Sequence, residues 1–96
     1  MARIYISGPM TGTKDYKEQF FKAEEELKQK GHDVINPARE DQLLPNGTYE
    51  DYMDLDMFLL DKCDAIYMLK GWRKSCGANR EYGYAMAKDY IVLHEE

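Results

Sequence analysis

The most suggestive chemistry in this sequence lies in the stretch SCGANREYGYA, residues 75–85. Ser75 and Gly77 stand at the expected start of a helix, where free backbone N–H groups attract anions. Glu81 follows four residues after Gly77, so we expect it on the same side of that helix, about 6 Å further along the axis. This spacing predicts a carboxylate beside an anion-binding helix terminus. The alternatives are a plain N-cap and a solvated helix glutamate.

A second carboxylate, Asp56, also occupies an unusual position. It falls on the inward stripe of another predicted helix, with Tyr52, Leu55 and Leu59, instead of on the charged outer face. Two carboxylates near an apolar crevice can serve as an attacking group and a helper, because their environments separate their pKa values. We therefore treat Asp56 and Glu81 as a candidate pair.

Strands and helices alternate along the chain. Short apolar runs predict strands at residues 3–8, 32–38, 63–70 and 90–95, and helical spacing predicts helices at 15–30, 48–62 and 77–89. This order predicts one α/β domain over residues 1–96, a flavodoxin-like or Rossmann-like three-layer sandwich with a parallel sheet in the order 2-1-3-4. Ligands of such sheets bind beyond the carboxyl ends of the strands, where the strand order reverses. We expect the loops at 8–12 and 71–77 to face each other there.

Composition narrows the classes of partner. The 96 residues carry a formal net charge of -5, which argues against binding a nucleic-acid polymer. No apolar run reaches the roughly 20 residues that span a bilayer, and the start lacks a secretory signal, so we expect a cytoplasmic protein without membrane contact. Cys63 and Cys76 lack metal-ligand spacing and are expected to be reduced thiols. We expect no metal and no cofactor.

Three blocks of the sequence carry a family resemblance: IYISGPMTG, DMFLLDKCDAIYML and SCGANREYGYAMAKDYIVL. Together they resemble the nucleoside 2-deoxyribosyltransferase superfamily, in particular small phage-type members related to the 2'-deoxynucleoside 5'-phosphate N-hydrolases. The resemblance covers nearly the whole chain except residues 39–47.

The resemblance implies a role for several residues. Glu81 matches the nucleophile that attacks the anomeric carbon, Asp56 matches the aspartate that assists departure of the base, and Tyr5 matches the tyrosine that orients the nucleophile. The segments expected to bind substrate contain Gly8, Pro9, Met10, Thr11, Gly12, Ser75 and Gly77. Trp72 is a further substrate-binding candidate that could stack on a base or anchor its own loop.

These roles imply cleavage or transfer at the N-glycosidic bond of a nucleoside or nucleoside 5'-monophosphate through a covalent glycosyl-glutamate. The first loop lacks the arginine of phosphate-preferring relatives, for which Arg73, Lys74 or Arg80 could compensate. The expected partners are the small-molecule substrate and further copies of the chain in a homodimer or larger homo-oligomer. A non-catalytic nucleotide sensor is the main alternative, and a flavodoxin-type electron carrier is less favoured because the chain is short for that fold.

Overall fold

The computed structural model describes residues 2–10 and 13–96 and contains one sheet of four strands. The strands are β1 (Arg3–Ser7), β2 (Asp33–Ile35), β3 (Ala65–Met68) and β4 (Ile91–His94). They lie in the order β2-β1-β3-β4, and each neighbouring pair is parallel. The predicted α/β fold and strand order are therefore confirmed.

Helices cover both faces of the sheet. They are α1 (Tyr16–Gln29), the single turn α2 (Glu40–Leu43), α3 (Tyr49–Asp61) and α4 (Cys76–Ala87), with 3-10 turns at Pro37–Arg39 and Trp72–Lys74. Side chains of α1 pack in one core cluster with β1, and side chains of α3 and α4 pack in a second cluster on the opposite face. Within the described residues, no helix combines the length and the apolar character needed to cross a membrane.

Strand β1 contributes to both faces because successive side chains of a strand point in opposite directions. Ile4 and Ile6 belong to the core cluster on the α1 side. Tyr5 belongs to the cluster on the α3 and α4 side, and Ser7 shares its face. All four side chains are fully buried. The alternation thus directs two hydroxyl groups toward α4.

The chain after β2 differs from the prediction. The strand predicted at 32–38, which Pro37 was expected to stop, is the shorter β2, which ends at Ile35; Pro37 lacks the N–H that a strand would donate. Asn36 instead caps the 3-10 turn, its side-chain oxygen accepting a 2.9 Å hydrogen bond from the Ala38 N–H. Residues 39–47, predicted as a polar loop, contain the helical turn α2.

A buried carboxylate anchors this segment to α1. Glu24 accepts hydrogen bonds from Asn36 at 2.8 Å, Lys28 at 2.7 Å and the Arg39 guanidinium at 3.0 Å. Burial alone would raise the pKa of Glu24, but the hydrogen bonds from Arg39, Lys28 and Asn36 outweigh it and lower the pKa to about 2. Glu24 is therefore ionised at neutral pH and fixes the position from which α2 begins.

Side-chain caps define the starts of α3 and α4. The Thr48 hydroxyl accepts from the Asp51 N–H at 3.1 Å, and the Asp51 carboxylate accepts from the Thr48 N–H at 2.9 Å. This reciprocal capping box confirms the predicted start of α3. Ser75 caps α4 by accepting a 3.2 Å hydrogen bond from the Ala78 N–H.

Candidate active site

A cavity of about 750 Å³ lies at the carboxyl-terminal edge of the sheet. Its walls come from the segments after β1, β2 and β3, from one side of α1, and from α3 and α4. This is the edge at which the strand order predicted a ligand site. The three acidic side chains that line the cavity are Glu40, Asp56 and Glu81.

Glu81 is held at the cavity wall by two hydroxyl groups of β1. The Tyr5 hydroxyl donates to Oε2 at 2.7 Å, and the Ser7 hydroxyl donates to Oε1 at 2.6 Å. Glu81 is 5% exposed, so water competes little for these bonds. One donor on each oxygen fixes the plane of the carboxylate and leaves further lone pairs for a ligand. Tyr5 thus contacts Glu81, the residue with which the family resemblance associates it.

Burial controls the protonation of this group. It raises the pKa of Glu81 to about 7, although the hydrogen bonds from Ser7 and Tyr5 favour the charged form. Burial, followed by the nearby charge of Glu81, raises the pKa of Tyr5 well above its usual range. Tyr5 therefore remains a hydrogen-bond donor throughout the pH range in which Glu81 titrates.

The other two acids of the cavity lining come from different parts of the chain. Asp56, on α3, is 5% exposed, and Glu40 is the first residue of α2. Burial, a hydrogen bond with Glu40 and the charge of Glu81 raise the pKa of Asp56 far above its ordinary value. Sequence reasoning identified Asp56 but missed Glu40, because nothing in the predicted loop at 39–47 indicates that one of its acids faces inward.

The raised pKa of Glu81 predicts a pH-dependent difference in stability between the parent protein and Glu81→Gln. Between the ordinary pKa of 4.5 and about 7, the folded protein holds a proton that the unfolded chain releases, so stability falls as the pH rises. A pKa shift of this size changes the free energy of unfolding by about 3 kcal/mol. We therefore expect the free energy of unfolding of Glu81→Gln, relative to that of the parent, to rise by up to this amount from about pH 5 to about pH 8. Urea unfolding at the two pH values measures this difference.

The matched control is Glu26→Gln, which removes an exposed carboxylate from α1. Its stability should follow that of the parent at both pH values. A constant difference between the Glu81→Gln and parent proteins across this range would show that Glu81 ionises normally.

The start of α4 forms another part of the cavity wall. Lys74, Ser75, Cys76 and Gly77 all line it. Gly77 packs closely against α3, because a Cβ there would lie 3.2 Å from the Met53 sulfur. Ser75 accepts the capping hydrogen bond described above, which leaves its hydroxyl proton available to a ligand. Ser75 and Gly77 are therefore at the cavity, as predicted.

The loop after β1 reaches the cavity through Gly8 and Met10. A Cβ at Gly8 would lie 2.8 Å from the Leu69 Cβ, so the close approach of β1 to the chain after β3 requires glycine. Pro9 is half-buried and lies beside Gly71. The predicted substrate-binding residues Thr11 and Gly12 lie outside the described residues.

Trp72 lies away from the cavity lining. It is 8% exposed, belongs to the core cluster on the α3 and α4 side, and stacks on Tyr82 with ring centroids 4.7 Å apart. This position corresponds to the anchoring role and does not support stacking on a substrate base. Among the described residues, the aromatic side chains that line the cavity are Tyr16, Phe20, Tyr49 and Tyr52. Tyr52 was predicted on the inward stripe beside Asp56, but none of the four was predicted to bind substrate.

The fold and the site define a parallel α/β domain with a cavity that contains a buried, doubly hydrogen-bonded glutamate. The chain belongs to the DUF4406 family, described as a domain of unknown function, whose sequence model matches residues 2–94. A comparison with proteins of curated function gives no match. The resemblance to nucleoside 2-deoxyribosyltransferases therefore stays a prediction.

Proposed function

We propose that this protein cleaves or transfers at the N-glycosidic bond of a nucleoside or nucleoside 5'-monophosphate. The observation that carries the proposal is the Glu81 carboxylate, which the Tyr5 and Ser7 hydroxyls fix at the wall of a cavity. A buried carboxylate with a fixed orientation suits attack on an anomeric carbon, because the transition state resembles an oxocarbenium ion. The same negative charge that stabilises this cation also captures it.

In the proposed reaction, a Glu81 oxygen forms a bond to the anomeric carbon while the bond from that carbon to the base nitrogen breaks. The electron pair of the broken bond leaves with the base, which receives a proton from Asp56. Water or a second base then attacks the anomeric carbon, gives its proton to Asp56 and releases Glu81. Water as the acceptor makes the protein a hydrolase, and a base makes it a transferase.

The protonation states fit this division of roles. With a pKa of about 7, Glu81 is substantially ionised at neutral pH and can act as a nucleophile. Asp56 keeps its proton at the same pH, because burial and its acidic neighbours raise its pKa. A nucleophile and an acid thus coexist in one cavity.

The size and lining of the cavity suit a substrate of this class. A volume of about 750 Å³ is within the usual range for small-molecule sites. The Tyr16, Tyr49 and Tyr52 rings provide flat apolar surfaces against which a base can pack. Ser75 and Lys74 line the cavity at the start of α4, and in the proposed complex they bind the 5' end of the sugar.

Base release is the experiment that tests the proposal. The purified protein is incubated with purine and pyrimidine nucleosides, deoxynucleosides and their 5'-monophosphates, with and without a second free base, and the released bases are separated by chromatography. We expect release from at least one deoxynucleoside or deoxynucleotide. Binding of a nucleotide without release of base from any substrate would favour the non-catalytic sensor instead.

A further inference from the structure

Glu40 and Asp56 each have one buried oxygen that lacks a hydrogen-bond partner among the described residues. These atoms are Oε2 of Glu40 and Oδ1 of Asp56. Both side chains line the same cavity, and each carboxyl group acts on the pKa of the other. Buried polar atoms are rarely left without a hydrogen-bond partner, so we look for a single partner that would satisfy both oxygens.

A cation would be one explanation, but the cation next to Glu40 in the sequence is engaged elsewhere. Arg39 directly precedes Glu40, yet its guanidinium binds Glu24 at 3.0 Å. In the part of the chain that the structure describes, no ion pair within 4.0 Å includes Glu40 or Asp56. Two adjacent carboxylates without a cation cannot both ionise at low cost. One proton between them satisfies both oxygens, since a carboxylic acid donates and a carboxylate accepts.

We propose that Glu40 and Asp56 form one carboxyl pair that holds a single proton, and that Glu40 is the positioning residue that keeps Asp56 protonated. The two orphaned oxygens support the existence of the pair, while its use in catalysis rests on the proposed function. There the shared proton passes from Asp56 to the departing base as the glycosidic bond breaks. The attacking water or second base then returns a proton to the pair, so that the cycle balances.

Other titratable groups face the pair from the elements packed around it. Three of these groups interact electrostatically with Asp56 or Glu40: Glu81 on α4, Tyr5 on β1 and Asp41 on α2. The cavity rim adds Tyr16, Tyr49, Tyr52, Lys74 and Cys76. Ionisation of Glu81 places a negative charge beside the pair and raises the pKa of Asp56 further. The surroundings therefore favour retention of the proton.

The first test uses the parent protein without any substrate. Carbon-13 labels in the side-chain carboxyls of Asp and Glu allow both groups to be titrated by NMR. If the pair shares a proton, the Glu40 and Asp56 signals should respond to the same two macroscopic titration steps. Independent titration of the two signals, each with a single step of its own, would overturn the proposal.

The second test replaces Glu40 by glutamine, which keeps the shape of the side chain but cannot ionise. The new amide can donate to Asp56, so the Asp56 titration midpoint should fall by about one pH unit or more. Asp54→Asn is the matched control, since Asp54 lies on the same helix as Asp56 but is exposed, and it should leave the Asp56 midpoint unchanged. An Asp56 midpoint that is unchanged or higher in Glu40→Gln would overturn the pair.

Activity separates this proposal from the proposed function. In Glu40→Gln, the alkaline limb of base release should move to lower pH together with the Asp56 midpoint, a change that a purely structural role would not produce. Shared titration steps without base release from any substrate would support the pair and overturn the proposed function. Base release whose alkaline limb stays unchanged in Glu40→Gln would overturn the role of Glu40.

Discussion

Replacing Glu81 by alanine is expected to reduce base release by roughly 10⁴-fold or more, because the covalent intermediate has no other carboxylate in the same position. The two donors that hold Glu81 point at this side chain, and neither a tyrosine nor a serine hydroxyl reproduces a buried carboxylate. Released base is measured by chromatography. Mass spectrometry of the parent protein, quenched during turnover, should show the mass of a glycosyl group on the peptide that contains Glu81.

The control for this prediction is Glu26→Ala, which removes an exposed glutamate from α1 and should retain full activity. Circular dichroism and urea unfolding establish that Glu81→Ala is folded. A folded Glu81→Ala protein that releases base at the parent rate would show that Glu81 is not the nucleophile.

Replacing Asp56 by asparagine is expected to slow base release by about 10² to 10⁴-fold, the usual range for losing acid assistance. Asparagine occupies the same space but cannot transfer a proton to the departing base. The loss should depend on the substrate. A purine deoxynucleoside methylated at N7 already carries a positive charge and leaves without protonation, so its release should slow far less.

Asp54→Asn is the control, since it removes an exposed carboxylate two residues away on the same helix. It should leave the release of both substrates unchanged. Equal losses for the methylated and unmethylated substrates in Asp56→Asn would contradict a role as the acid and indicate that Asp56 only binds the sugar.

Much of the fold could be predicted because its signals are local. The apolar runs give the four strands, and Thr48 and Gly31 mark a helix start and a helix end. The segment after β2 could not be predicted in the same way. Its course depends on Glu24, which lies twelve residues before Asn36 and becomes its partner only when α1 packs beside it.

The residues of the candidate site also differ in whether local sequence signals could predict them. The parallel α/β order predicted where Ser75, Gly77 and Glu81 would lie, and the family resemblance added Tyr5. Ser7 could have been found, because it lies two residues from Tyr5 on the same strand and so faces the same way. Glu40 and the aromatic side chains of the cavity lining could not have been found in this way, since tertiary packing brings them to the cavity.

The alternation along β1 separates two kinds of mutational target within one strand of five residues. Substitutions at positions 4 and 6 alter the packing against α1, whereas substitutions at 5 and 7 alter the groups that hold Glu81. A combinatorial library over Tyr5 and Ser7 can therefore vary the groups that hold Glu81 while the opposite core keeps its composition. A single-residue deletion ahead of Tyr5 would exchange the two sets of side chains, so the length of this strand tolerates no such change.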